Sequence, residues 1–125
     1  RLAGLDAAIK TFADGMGTAW SETVVVLVTE FGRTASANGT DGTDHGTATT
    51  ALLLGGAVAG GRVVADWPGL SASALYEGRD LAPTRDLRSV FKGLLRDHLG
   101  LSDGALATRV FPDSAAIKPL GGLVA

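Results

Sequence analysis

The amino-acid sequence predicts an α/β fold built on a parallel sheet. Residues 23–29 form a continuous β-branched and apolar run, which is the pattern of a strand covered on both faces. Amphipathic helical patterns lie before and after this run along the chain. Eighteen glycines and only four prolines are spread between the apolar stretches, which indicates short buried elements joined by tight turns.

The first predicted element is an amphipathic helix near the N-terminus. Its apolar residues recur at spacings of three and four, so they share one face of a helix. That face consists of Leu2, Leu5, Ile9, Phe12 and Met16. The pattern fades at Gly15 and Gly17, where we expect the helix to end.

The middle of the chain predicts strands separated by a long loop. The apolar run predicts a central strand, with residues 24–28 buried in the parallel sheet. Residues 32–46 are polar and rich in glycine, so we expect them to form a loop. Residues 48–54 are apolar again, and residues 62–65 could form a short third strand.

The second predicted helix runs from Thr84 to Leu99 and packs on one face of the sheet. Thr84 is a plausible N-cap, and Asp86 would lie in the first turn, where the helix dipole favours an anion. Gly100 can end the helix, with Leu101 folding back. The apolar face consists of Leu87, Val90, Phe91, Leu94, Leu95 and Leu99.

The whole chain is predicted to be one partial domain with a single core. Its 125 residues are too few for two domains with separate cores. Residues 102–125 show no periodicity, and we expect residues 113–125 to form an irregular tail. The chain starts at Arg1 without a methionine or a leader, so we expect it to be the C-terminal fragment of a longer domain.

Composition excludes several classes of function. A net charge of −2 and the absence of any basic stretch with interleaved aromatics argue against nucleic acid as a partner. The absence of cysteine excludes disulfides, a thiolate nucleophile and cysteine-ligated zinc. The longest uncharged stretch, residues 46–61, is shorter than the roughly 20 apolar residues of a membrane span.

Glu30 and Arg33 are the first candidates for chemistry. Both follow directly after the predicted central strand, and ligands of open α/β sheets bind beyond the carboxyl ends of the strands. A carboxylate and a guanidinium there could meet a metal or an anionic group. The competing interpretation is a salt bridge at the rim of the fold, which contributes little stability.

Asp44 and His45 are the second candidates, in the glycine-rich segment 39–47. Imidazole and carboxylate are common ligands of zinc and similar divalent ions, and a turn can aim adjacent residues at one point. The competing interpretation is a turn in which aspartate serves only the backbone. The spacing does not match a calcium-binding EF-hand loop.

Four other features favour structural roles. His98 falls on the apolar face of the second helix, near its C-terminus. Residues 55–61 are dense in glycine but match neither the dinucleotide-binding nor the phosphate-loop pattern. Trp67 and Tyr76 lie in segments that resemble turns with aromatic anchors.

A series of motifs, in order, resembles the C-terminal part of the domain of unknown function 1501 family. The resemblance covers residues 23–112 approximately. The motifs are Thr29-Glu30-Phe31-Gly32-Arg33-Thr34, Asn38-Gly39, Gly42-Thr43-Asp44-His45-Gly46-Thr47, Leu54-Gly55-Gly56-Ala57-Val58, Gly60-Gly61-Arg62-Val63, Asp66-Trp67-Pro68-Gly69-Leu70 and Gly78-Arg79-Asp80-Leu81-Ala82-Pro83-Thr84.

This family is grouped with alkaline phosphatases and sulfatases, so the resemblance implies the C-terminal portion of a doubly wound, mostly parallel sheet of the alkaline phosphatase-like type. It also implies a divalent metal, zinc or similar, with Glu30, Asp44 and His45 as ligands and Arg33 as the residue that stabilises the oxyanion. Phe31 stands where relatives have the histidine of Asp-His-Gly, and phenylalanine cannot ligate a metal. The N-terminal half of the same domain would supply the nucleophile.

Two functions stay open at this point. One is a metal-dependent hydrolase of phosphate or sulfate esters that acts on a small anionic substrate, with this fragment inactive alone. The other is a non-catalytic member of the fold that binds a ligand or another protein. The resemblance further implies a bacterial protein exported to the periplasm or cell surface by a twin-arginine signal.

Overall fold

The computed structural model of the protein describes residues 2–125. Two helical segments followed by four short strands make up the first half, and irregular segments and helices make up the second. In chain order the elements are helix α1 (Leu2–Met16), a 3₁₀ helix (Gly17–Glu22), strands β1 (Val25–Leu27), β2 (Gly32–Arg33), β3 (His45–Gly46) and β4 (Leu52–Leu54), helices α2 (Leu87–Asp97) and α3 (Asp103–Ala105), and a π-helical turn (Leu106–Val110).

Helix α1 forms where the spacing of apolar residues predicts it. Its apolar face and strands β1 and β4 line a groove of about 180 Å³, which Phe12 closes at one side by packing edge-on against Trp20 with ring centroids 6.4 Å apart. No described residue of α1 is fully buried, and Leu2 is 82% exposed. The helix therefore keeps much of its apolar stripe open.

Strand β1 pairs antiparallel with β4, in the register Val25 to Leu54, Val26 to Leu53 and Leu27 to Leu52. Its residues are half-buried and Val28 is 40% exposed, which differs from the predicted parallel strand with residues 24–28 buried. An apolar β-branched run indicates a preference for extended backbone. It does not indicate which strand will pair with it or whether that strand runs parallel or antiparallel. The doubly wound class of the whole domain stays a prediction.

Glycine at position 55 lets the chain leave β4 beside β1. Its φ is +126°, and a Cβ there would lie 2.0 Å from the carbonyl oxygen of Thr23. Any other residue would have to displace backbone, so this close approach requires glycine.

Residues 32–46 form a hairpin in which two short strands close the predicted loop. Strands β2 and β3 pair antiparallel, with Gly32 opposite Gly46 and Arg33 opposite His45. A Cβ on Gly32 would lie 1.5 Å from the carbonyl oxygen of Ala48, so the glycines that suggested a loop instead permit close backbone packing. Within the described chain, residues 62–65 form no strand, contrary to the prediction.

Helix α2 starts later than the sequence indicates. Asp86 is its N-cap, with extended backbone and a carboxylate that accepts a hydrogen bond from the amide of Arg88; Thr84 lies outside the helix. Aspartate and threonine are both common N-cap residues, so the sequence offered two candidate starts for the helix. At the other end the helix stops at Asp97, two residues before the predicted Leu99. Gly100 follows with φ of +71°, and the Leu101 amide donates to the carbonyl of Leu95, which is the turn predicted after the helix.

The C-terminal segment, rather than the sheet, covers α2. Gly93 packs against the backbone of Leu120, and the Phe91 and Phe111 rings stack with centroids 6.3 Å apart. The buried apolar side chains are Leu94, Leu106 and Leu123. Residues 113–125 contain no helix or strand, and they complete the core around α2.

Lys92 fastens this segment to the helix. Its side chain is buried, and Nζ donates to the carbonyl oxygens of Ser114 at 2.6 Å and Ile117 at 3.0 Å. These bonds offset the cost of burying an ammonium group. No helix in the described part of the chain has the length and apolar character to cross a membrane.

Candidate functional site

The β2–β3 hairpin carries three of the four predicted site residues. Arg33 and His45 lie directly opposite each other in the strand pairing, and Asp44 immediately precedes His45. Arg33, Asp44 and His45 are all exposed. The strand pairing therefore places Arg33 opposite His45, although the two residues are distant in the sequence, and Asp44 is the chain neighbour of His45.

His45 stacks on Phe31. Their ring centroids are 3.9 Å apart and the rings are inclined by 28°. No hydrogen bond to the imidazole nitrogens is formed within residues 2–125, so both nitrogens are free of protein partners there. Phe31 thus holds one face of the ring while the nitrogens at its edge stay accessible to a ligand.

Asp44 is oriented by Asn38. The Asn38 Nδ2 donates to Asp44 Oδ1 at 2.9 Å, and the Asp44 backbone exchanges hydrogen bonds with Thr34. The Asn38 Oδ1 also accepts from the amides of Thr40 and Gly42, which makes Asn38 the residue that builds the turn. The alternative interpretation of Asp44 as a turn former is therefore not what the structure shows.

Arg33 is anchored within the hairpin. Its Nη1 donates to the carbonyl oxygen of Thr43 at 2.9 Å. Among the described residues it forms no ion pair with Glu30, so the alternative of a rim salt bridge between these two is absent from this part of the chain. Since a guanidinium has five N–H donors, most of its donor capacity remains for an anion.

Glu30 faces a different space from the other three residues. It lines an open cleft of about 680 Å³ that neither Arg33, Asp44 nor His45 lines. The neighbouring Thr29 forms a hydrogen bond of 2.9 Å with the hydroxyl of Thr49, and both residues also line the cleft. The remaining charged and aromatic groups of the cleft are Arg62, Asp66, Trp67 and Arg85.

The predicted metal ligands are suitable in kind but do not assemble a centre by themselves. Carboxylate and imidazole are the donors that zinc accepts. Across residues 2–125, however, no group of three or more histidine, aspartate or glutamate side chains is close enough to hold an ion. Glu30 opens onto the cleft, whereas Asp44 and His45 lie on the hairpin.

Asp80 is a further residue of the site that the pattern of residue types did not single out. It is 2% exposed, and its Oδ2 accepts a hydrogen bond of 2.8 Å from Thr47 Oγ1, two residues after His45. This bond from Thr47 lowers the pKa of Asp80 below its ordinary value, against the opposing effect of burial and with help from Arg79. The feature that distinguishes Asp80 is the burial of its carboxylate, and burial is visible only in the structure.

Of the other residues considered, His98 and Tyr76 occupy structural positions, whereas Trp67 lines the cleft. His98 is the C-cap of α2, as its place on the helix predicts. Tyr76 closes a tight turn by exchanging two backbone hydrogen bonds with Asp80, at 2.9 and 3.0 Å. Trp67 is 61% exposed and lines the cleft, so it stays available to a ligand.

Comparison with known proteins yields one match. Residues 1–111 match a family described as protein of unknown function (DUF1501). No curated protein and no solved structure matches the chain. Since the match spans most of the sequence and includes the entire β2–β3 hairpin, the chain belongs to the DUF1501 family of proteins of unknown function.

Proposed function

We propose that this chain forms one edge of the active site of a hydrolase that acts on small phosphate or sulfate esters. The observation that carries the proposal is the β2–β3 pairing, which places Arg33 opposite His45 with Asp44 next to it. A cation, an imidazole and a carboxylate on one exposed hairpin suit the recognition of an anionic ester and the movement of a proton.

Arg33 is the residue proposed to bind the ester anion. Its bond to the Thr43 carbonyl fixes the guanidinium while most of its N–H groups remain open. Arginine binds tetrahedral oxyanions through paired donors, which gives orientation as well as charge stabilisation. A guanidinium that is already oriented lowers the activation barrier of hydrolysis, because it stabilises the negative charge that develops on the ester oxygens.

A divalent metal remains part of the proposal, with Glu30, Asp44 and His45 as contributing ligands. When bound, such an ion would polarise the ester. Because the described residues do not gather three ligands at one point, we propose that the rest of the same domain, upstream of this segment, completes the centre and supplies the nucleophile. Export to a bacterial periplasm or cell surface belongs to the same proposal.

A second candidate function is non-catalytic binding of a ligand or protein at the same edge. Phe31, which packs on His45, favours it, because phenylalanine cannot ligate a metal and stands where the resemblance implies a second ligating histidine. The wide cleft beside Glu30 would then serve recognition alone.

Hydrolysis by the full-length protein separates the two functions. We expect release of p-nitrophenol from its phosphate or sulfate ester, with kcat/KM reduced about 100-fold or more in Arg33→Ala, the scale on which losing an oxyanion donor acts. Arg96→Ala is the matched control, since Arg96 lies on α2, pairs with Asp97 and does not line the cleft. Equal rates for Arg33→Ala and wild type, or no hydrolysis of either ester by wild type, would contradict the proposal.

A further inference from the structure

The β2–β3 hairpin is held at both ends by one residue. Asp80 forms an antiparallel backbone bridge with Thr34, which directly follows β2. Its side chain accepts the 2.8 Å hydrogen bond from Thr47, which directly follows β3. The adjacent Arg79 carbonyl accepts a hydrogen bond from the Ala35 amide at 3.0 Å, which strengthens the same connection.

Asp80 is itself rigidly placed. Its backbone exchanges hydrogen bonds with Tyr76 across a turn in which Glu77 and Gly78 have φ of +52° and +66°. The Arg79 Nε lies 2.8 Å from Oδ1, but within the described chain this buried oxygen accepts no hydrogen bond. The Arg79 cation offsets part of the cost of burying this carboxylate, so the charged form is retained in the fold.

The connection from Asp80 to the imidazole is short and stiff. Only Gly46 separates Thr47 from His45, and a Cβ on Gly46 would lie 2.6 Å from the carbonyl carbon of Arg33. The backbone at Gly46 is therefore packed directly against the facing strand. A displacement of Thr47 would therefore displace His45 as well and disturb its contact with Phe31.

We propose that Asp80 is a positioning residue of the site, whose carboxylate fixes Thr47 and thereby holds His45 on Phe31 and opposite Arg33. This assignment rests on the proposed function for its catalytic meaning, but the geometric claim can be tested without any substrate. In the hydrogen bonds of the described chain, Asp80 contacts Thr47 and Arg79 but neither the His45 imidazole nor the Arg33 guanidinium, so it acts through Thr47.

Proton NMR of the imidazole rings provides the test. His45 lies 3.9 Å from the Phe31 ring, so its carbon-bound ring protons should be shifted upfield by the aromatic ring current. His98, the other histidine, lies at the end of α2 and serves as an internal reference. Phe31→Leu should abolish the upfield shift of His45 and leave His98 unchanged.

Two pairs of variants then isolate the hydrogen bond. Asp80→Ala and Thr47→Val should each lose most of the His45 upfield shift, because the carboxylate or the hydroxyl is gone. Asp80→Asn and Thr47→Ser should retain it, since an amide oxygen still accepts and a serine hydroxyl still donates. Thr11→Val removes a hydroxyl from α1 and is the matched control, with no expected effect on His45.

Retention of the full His45 shift in both Asp80→Ala and Thr47→Val would overturn the proposal, as would its loss in Thr47→Ser. If Asp80→Ala fails to fold, as a non-native His98 resonance would reveal, Thr47→Val decides the question. A protein that hydrolyses neither ester but shows this dependence of His45 on Asp80 would refute the proposed function and support the positioning role.

Discussion

At the scale of single residues, Asp80 links the stability of the hairpin to pH. The hydrogen bond from Thr47 holds the pKa of Asp80 below its ordinary value. A carboxyl whose pKa is lower in the folded than in the unfolded state stabilises the fold above the unfolded value, roughly 3.9, and loses this contribution as the pH falls through the folded value.

The free energy of unfolding should therefore fall below about pH 4, partly through Asp80. We expect Asp80→Asn to be less stable than wild type near pH 7 and the difference to shrink as the pH is lowered, because protonation removes the charge that the variant lacks. Urea unfolding across this range measures the difference. Thr47→Val should weaken the same pH dependence, and a difference that stays constant with pH would contradict the assignment.

At the scale of elements, α2 depends on a close contact with the C-terminal segment. A Cβ on Gly93 would lie 1.9 Å from the carbonyl oxygen of Leu120, and the Leu120 amide in turn donates to the Ser89 carbonyl at 2.8 Å. Gly93→Ala should lower the free energy of unfolding by about 1–3 kcal/mol, as overpacking does, although alanine favours helix.

Gly4→Ala in α1 is the matched control, because nothing lies within 4 Å of the added Cβ. This change should stabilise the protein by up to about 1 kcal/mol through helix propensity. Urea unfolding of the two variants gives the comparison. If Gly93→Ala matched the control, α2 could not be packed on Leu120 as described.

Sequence patterns predict single elements here better than their packing. The spacing of Leu2, Leu5 and Phe12 predicts α1, and Gly100 marks the end of α2, because helical periodicity and a left-handed terminal residue are local properties. The antiparallel partner of β1 and the hairpin at residues 32–46 depend on contacts between distant segments. Local residue preferences carry little information on such contacts.

The candidate site likewise contains residues that the sequence identifies and residues that only the structure identifies. Arg33, Asp44 and His45 are chemically distinctive residues in polar segments, so their types alone single them out, and strand pairing brings them together. Asn38 and Asp80 were not predicted, because one acts by building a turn and the other by being buried. Glu30 follows the strand as expected, but its orientation towards the cleft depends on the turn at Thr29 and Phe31.

At the scale of the whole molecule, we propose that the hairpin of this DUF1501 member is part of a metal-dependent ester site. The described residues hold suitable donors on the hairpin and at the cleft without gathering three of them. The full-length protein should therefore bind a metal, and this binding should depend on a hairpin residue.

Metal content of the purified full-length protein is the most direct measurement. Wild type and His98→Ala should bind the same amount of a divalent metal such as zinc per chain, while His45→Ala should bind substantially less with native folding retained. His98 is a matched control because it is the C-cap of α2, away from the hairpin. An equal metal content in His45→Ala and wild type, or none in wild type, would contradict the account.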